Sequence, residues 1–175
     1  RNLCLNIDEI VTLLYAGIIM FKRLKSPYRD IAEIAIAFAV AWLFYQGLVF
    51  ATGTPLPIVS VVSDSMFHET TFDEWWNNNK GFYEQKNITK EKFASFQFSN
   101  GLSKGDLLFV LNAEPQVGDM IIYQSGRSSF TIVHRVIEKR PDGYTLKGDN
   151  NAVADPGIVR KEQVVGKVLL AAPLL

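Results

Sequence analysis

Between Ile31 and Phe50 the chain reads IAEIAIAFAVAWLFYQGLVF, and no other stretch restricts its fold so strongly. Only Glu33 is charged there at neutral pH, and only Gln46 is otherwise strongly polar. Twenty helical residues rise about 30 Å, the thickness of the hydrocarbon core of a bilayer. A buried helix has a similar composition, but a chain of 175 residues has no interior large enough to cover so long a helix on every side. Residues 31–50 are therefore expected to form a transmembrane helix. Lys22, Arg23, Lys25 and Arg29 lie just before it, whereas no basic residue occurs between Ile31 and Lys80. By the positive-inside tendency, the domain on the C-terminal side of the helix is expected to be extracytoplasmic. Glu33 falls near the cytoplasmic end, where its carboxylate reaches the interface, and needs no role in proton transfer.

Residues 1–30 read as a cytoplasmic or membrane-associated segment whose topology the sequence leaves open. Val11, Leu14, Tyr15, Ile18 and Ile19 recur at helical spacing, which suits either an amphipathic helix lying on the membrane or a short first span. A cleavable signal peptide is not expected, because the basic, apolar and small-residue regions do not come in order. At the other end Lys167 to Leu175 reads KVLLAAPLL, a last strand with residues 171–175 as the possible start of a truncated second membrane segment. The 18 basic and 18 acidic side chains cancel, and no basic stripe interleaves with aromatics, so nucleic acid is excluded as the expected partner. One cysteine, Cys4, and two histidines supply neither a disulfide framework nor the material for a zinc centre, and no metal or other cofactor is expected.

Residues 51–170 carry a strand-rich pattern. Apolar or β-branched runs occur at 58–62, 107–111, 120–123, 131–137, 144–146 and 164–170, and Gly105-Asp106, Gly118-Asp119 and Pro141-Asp142-Gly143 punctuate them as turns. The fold class expected is mostly β: an antiparallel β domain behind an N-terminal membrane helix, with a partly helical insertion over 67–104. Inside the insertion Thr71 and Thr89 are candidate helix caps. Its aromatics, Phe72, Trp75, Trp76, Phe82, Tyr83, Phe93, Phe96 and Phe98, suit either a surface facing membrane or peptide or a small satellite core. Asn87-Ile88-Thr89 is a glycosylation sequon, a three-residue match that does not by itself establish modification.

Chemistry concentrates in three segments: Val59-Ser60-Val61-Val62-Ser63-Asp64-Ser65-Met66, Thr131-Ile132-Val133-His134-Arg135-Val136, and Lys147-Gly148-Asp149-Asn150-Asn151. A serine hydroxyl is a poor nucleophile until a base lies within about 3 Å and an oxyanion site faces the attacked carbonyl. Ser65 is the candidate nucleophile. His134 has the side chain suited to a general base near neutrality. Asp155 or Asp149 would accept from the other imidazole nitrogen and fix the tautomer. On composition alone, a serine at a strand end is more often a turn residue, and a lone histidine on a strand more often has a structural partner. His68 is the sole histidine competitor for the base, and Arg135 is expected either to pair with a carboxylate of the Asp149 loop or to face solvent.

Taken in order, these segments carry a resemblance. Ser63-Asp64-Ser65-Met66, the spaced Gly105-Asp106 and Gly118-Asp119 pairs, Ile132-Val133-His134-Arg135-Val136-Ile137, and Lys147-Gly148-Asp149-Asn150-Asn151 with Asp155-Pro156-Gly157 beyond it resemble the type I signal peptidases, in their archaeal and endoplasmic-reticulum branch. The resemblance implies a membrane-bound serine endopeptidase that removes signal peptides from translocated preproteins. It implies Ser65 as nucleophile, His134 where the bacterial branch has a lysine, and Asp155 as the orienting partner. Asp149 matches the earlier family aspartate, and the two aspartates' roles are exchangeable at this point. The Ser65 N–H, with Ser63 contributing, would form the oxyanion site. Implied partners are signal-peptide-bearing preproteins, membrane lipid and secretion machinery. The insertion after Met66 departs from the family pattern, which soon reaches its Gly-Asp pair. Three other readings stand beside this one: a noncatalytic membrane-anchored peptide-binding module, a scaffold of a secretion complex, and a serine hydrolase of different substrate. Oligomeric state is not legible.

Overall fold

The computed structural model describes residues 26–126 and 130–173, together with Thr12. The chain divides between Gly47 and Leu48 into two compact units. Helix α1 (Ser26–Thr52) contains the whole apolar run with extra residues at each end. Tyr28–Thr52 is long and apolar enough to cross a membrane, and none of its most apolar window is buried, which is unlike the core helix of a soluble domain. Arg29 and Glu33, one turn apart, pair at 3.7 Å. The helix stops at Gly53, whose N–H reaches Val49 O at 2.9 Å. The expectation for Ile7–Phe21 lies outside the described residues, as do Leu174 and Leu175.

The second unit is built on six strands: β1 (Ile58–Ser60), β2 (Leu107–Leu111), β3 (Met120–Gln124), β4 (Thr131–Arg140), β5 (Gly143–Lys147) and β6 (Val164–Ala172). They form one sheet in the order β1-β2-β6-β3-β4-β5, and every pairing is antiparallel. All six lie on the expected apolar runs. Residues 171 and 172, read as the possible start of a membrane segment, continue β6. The chain is nevertheless mixed α/β rather than mostly β, since helical residues outnumber strand residues among those described. The long α1 and two insertion helices outweigh a sheet of short strands.

The sheet has apolar residues on both faces. Met120, Ile121, Ile122 and Tyr123 are all buried, so β3 shows no polar alternation. Met66, Leu102, Leu108, Val110, Met120, Ile122 and Val168 form one core, while Ile121, Tyr123, Val136, Tyr144, Leu146 and Val159 form another. The two glycine-aspartate turns hold strand ends: the Asp106 carboxylate accepts from Ser103 N and that of Asp119 from Gln116 N, each at 2.8 Å. This is the local amide bonding expected of such pairs.

The insertion contributes helices α2 (Phe72–Glu84) and α3 (Lys90–Ala94). The Thr89 hydroxyl caps α3 through Lys92 N at 3.3 Å, whereas Thr71 precedes α2 without a side-chain capping bond. Trp75, Trp76, Tyr83, Ile88 and Phe93 are buried together against Ile137 of β4. Of the two readings of these aromatics, the satellite core is the observed one. Phe93 sits at its centre, with Tyr83 at 4.9 Å and Trp75 at 5.0 Å between ring centroids, and with the Arg135 guanidinium 4.8 Å from its ring. Emptying that space removes packing that the surrounding rings cannot refill. Phe93→Ala is predicted to lower stability by about 3–5 kcal/mol, measured by denaturant unfolding of the detergent-solubilised protein. A change below about 1 kcal/mol would show that the insertion core unfolds independently of the sheet.

Candidate active site

His134 and Arg135 are neighbours on β4 and therefore project to opposite faces of the sheet. His134 lies opposite Ile121, and Arg135 opposite Met120 on one side and Lys147 on the other. The loop after β5 carries one carboxylate to each face. Asp155 reaches His134 Nδ1 at 2.6 Å, and Asp149 accepts from Arg135 Nε at 2.9 Å and Nη2 at 2.7 Å. Of the two candidate aspartates, Asp155 contacts the imidazole, and Asp149 lies on the other face.

Asp155 is further held by Tyr123, whose hydroxyl donates to the same Oδ2 at 2.8 Å. Burial raises the Tyr123 phenol above its ordinary value, and the bond to Asp155 adds to the rise, so the phenol stays a donor. Sequence reasoning missed Tyr123. Its parity with Ile121, the partner of His134, was readable, but its proximity to Asp155 depends on a loop that no periodicity predicts.

Ser65 lies in a turn closed by Phe67 N to Asp64 O at 3.1 Å. The 148–151 loop grips this turn from several sides: Asn150 N donates to Ser65 O at 2.8 Å, Asn150 Nδ2 to Asp64 O at 3.1 Å, and Asp149 N to Met66 Sδ at 3.4 Å. Met66, fully buried, therefore both fills the core and seats the loop. Gly148 occupies the crossing point. A Cβ there would stand 2.8 Å from both His134 Nε2 and Ser65 O, so only glycine lets the imidazole come this close to the serine turn. Ser65 Oγ is 3.2 Å from Ser63 Oγ and makes no hydrogen bond to His134. The Ser65 N–H donates to no backbone acceptor among the described residues. Structure thus brings Ser63, Ser65, His134 and Asp155 to one locality, with the serine rotamer turned to Ser63.

On the opposite face lies a buried ionic cluster. Asp149 and Arg135 are fully buried, and His68 Nε2 meets Asp149 Oδ2 at 3.3 Å. The His68 ring stacks on Trp75 with centroids 3.8 Å apart. His68 is thus held between Asp149 and Trp75. Lys147, also buried, donates to the carbonyls of Gly148 at 3.1 Å and Asp149 at 3.2 Å. Burial lowers its ammonium to about 8 despite the opposing pull of Asp149.

Burial alone would raise the Asp149 carboxyl, but the Arg135 charge and the hydrogen bonds from His68 and Arg135 together outweigh it, and the group lies at about 2, below its ordinary 3.8. A carboxyl depressed on folding contributes stability that is fully present above its unfolded value and is lost as pH falls through the folded one. Stability is therefore predicted to fall between about pH 4 and pH 2 as Asp149 becomes protonated. Asp149→Asn leaves Arg135 buried without its counter-charge, and should cost about 3–5 kcal/mol near neutrality while flattening that acid dependence. Unfolding curves of both proteins across this pH range provide the check; parallel pH profiles would remove Asp149 from the acid response.

No family model matches the chain. It is 28% identical to the signal peptidase complex catalytic subunit SEC11 of Pyricularia oryzae over 174 residues, covering 89% of this chain and 83% of that protein. The corresponding subunit of Pyrenophora teres is also 28% identical over 161 residues, covering 83% of this chain and 75% of the relative. For that of Saccharomyces cerevisiae the identity is 28% over 149 residues, with coverage of 81% and 70%. These relatives support the endoplasmic-reticulum side of the resemblance and not its archaeal side. With its long apolar helix and six-stranded sheet, the chain is a distant, signal-peptidase-like homologue of the SEC11 catalytic subunits.

Proposed function

We propose that the chain is a membrane-anchored serine endopeptidase that removes signal peptides from translocated preproteins, with Ser65 as nucleophile, His134 as general base and Asp155 orienting the base. The observation that carries this reading is the His134–Asp155 pair, joined at 2.6 Å, with the other imidazole nitrogen directed at the Ser65 turn across Gly148. Asp155 accepts the Nδ1 proton and leaves Nε2 as the basic nitrogen. Rotation of the Ser65 side chain away from Ser63 brings its hydroxyl toward Nε2, a tightening common when a resting site takes up substrate. His134 then takes the serine proton as Oγ attacks the scissile carbonyl. The Ser65 N–H and the Ser63 hydroxyl stabilise the oxyanion. The protonated imidazole passes its proton to the leaving amine, and a water activated by His134 releases the acylated signal-peptide end.

A groove of about 340 Å³ supports a peptide substrate. One wall is residues 59–63, which run into Ser65, and the other is residues 130–133, which run into His134. Both walls offer strand edges. β1 is the last strand on its side of the sheet, and pairing between β4 and β5 begins only at Arg135. An extended segment added along either edge gains backbone hydrogen bonds and delivers its carbonyl between the serine and the histidine. The groove is lined mainly by aliphatic side chains, which suits the small residues that the resemblance implies before the cut. In this reading α1 spans the membrane, the sheet domain is extracytoplasmic, and preproteins, lipid and secretion machinery are the partners. Asp149 supports the loop without touching the reacting atoms.

The expected result for Ser65→Ala, and for His134→Ala, is a loss of turnover of about 10³-fold or more with the fold retained. It is measured by cleavage of a membrane-inserted preprotein with the products mapped by mass. Full cleavage by Ser65→Ala would eliminate the assigned nucleophile. Peptide binding without cleavage by the unaltered protein would favour the noncatalytic module, and serine-dependent cleavage without preference for small residues would favour a different hydrolase. Tyr123→Phe leaves Asp155 with one donor fewer and is expected to lower turnover about tenfold, with substrate KM unchanged; a shift in KM alone would deny it a role in holding the base.

A further inference from the structure

The insertion meets the site loop at Lys147. This residue ends β5 on the same face as Arg135, and it is 1% exposed. Its ammonium lies 5.2 Å from the Phe82 ring centroid and 5.0 Å from that of Tyr83, both on α2. Besides the Gly148 and Asp149 carbonyls, it reaches the Tyr83 hydroxyl at 3.5 Å. Those two carbonyls belong to the peptide units that bracket Asp149, and the next N–H, that of Asn150, is the one bonded to Ser65 O.

We propose that Lys147 is a positioning residue for Ser65: its ammonium, caged by Phe82 and Tyr83 of the insertion, fixes the Gly148 and Asp149 carbonyls and thereby the loop that holds the serine turn against His134. The inference rests on the reading of Ser65 as the nucleophile. Its chemistry comes from the donor set. A charged ammonium bonds two carbonyls strongly and orients both peptide planes, while the π faces compensate part of its lost hydration. A neutral amine has one proton fewer and no charge. The 148–151 loop then loses its anchor on the insertion side but keeps Asn150 on Ser65, so the loop and the serine turn drift together and lose registration with His134.

Four titratable or charged groups bear on this ammonium: Tyr83 from α2, Arg135 from β4, and Asp149 and Asp155 from the loop after β5. Burial is the dominant influence and lowers Lys147 to about 8; Asp149 and Asp155 oppose it, and Arg135 reinforces it. Because the ammonium is lost as pH rises through that value, turnover should fall on the alkaline side.

The test uses the intact, membrane-reconstituted chain with a preprotein substrate. Lys147→Met keeps the stem and removes the charge. It should remain folded, lower kcat on the order of 100-fold with KM little changed, and show no titration step near pH 8 in its residual activity. Phe82→Ala admits water to the cage and should move the alkaline limb of kcat to higher pH, which a purely structural role would not do. Wild-type kcat in Lys147→Met, or an alkaline limb unmoved by Phe82→Ala, overturns the proposal. If Lys147→Met fails to fold, the wild-type and Phe82→Ala profiles decide it. Cleavage that survives Ser65→Ala marks the separate failure of the nucleophile assignment.

Discussion

Everything near the site depends on one buried ion pair, Arg135 with Asp149. Withdrawing a guanidinium and a carboxylate from water is costly, and such a pair is tolerated only when its remaining hydrogen-bonding groups are also satisfied. Here the guanidinium leaves none unused: Nε and one Nη2 proton go to Asp149, and the others to the carbonyls of Gln97, Phe98 and Gly118. A single side chain thus binds the end of the insertion, the turn before β3, the strand β4 and the loop after β5. A lysine could not replace it, having neither the donors nor the planar fork. Its ring contact with Phe93 extends the tie into the aromatic core.

The same pair divides labour between the faces of β4. With Asp149 committed to Arg135, the loop is held in place, and six residues later Asp155 is free to meet His134. Gly118 illustrates how tightly the far side is filled: a Cβ there would stand 2.3 Å from the Phe96 ring. The insertion accordingly acts as a rear wall of the site. Its side chains stack on His68, cage Lys147 and underlie Arg135, while the groove leading to Ser65 is lined by other residues.

Much of this was legible in the sequence because periodicity and turn chemistry are local. The six strands track their apolar runs, and α1 tracks the long apolar run over 31–50. Ser65, His134 and Asp155 were singled out by residue type and order. What the sequence left open was relational. Which aspartate meets the imidazole depends on the path of the 148–155 loop, and whether the insertion aromatics turn inward depends on β4 offering Ile137 and Arg135 as a floor. The buried state of Lys147 contradicts the ordinary behaviour of lysine, and only the carbonyls and rings around it account for its burial. His68 looked like a polar loop residue for the same reason: its stacking partner lies seven residues away on a helix not yet formed.

The alternation of His134 and Arg135 carries a consequence for folding fidelity. Side chains on a strand change faces with every residue, so a slip of β4 by one position would exchange the two. The imidazole would then lie under the insertion, and a permanently charged guanidinium would point at the serine turn. Such a misregistered chain would retain most of its backbone pairing and yet lack both the ionic clasp and the basic nitrogen. With Ser65 and His134 acting as proposed, cleavage activity becomes a strict reporter of strand register in this chain, because near-native mispaired forms would be inert rather than partly active.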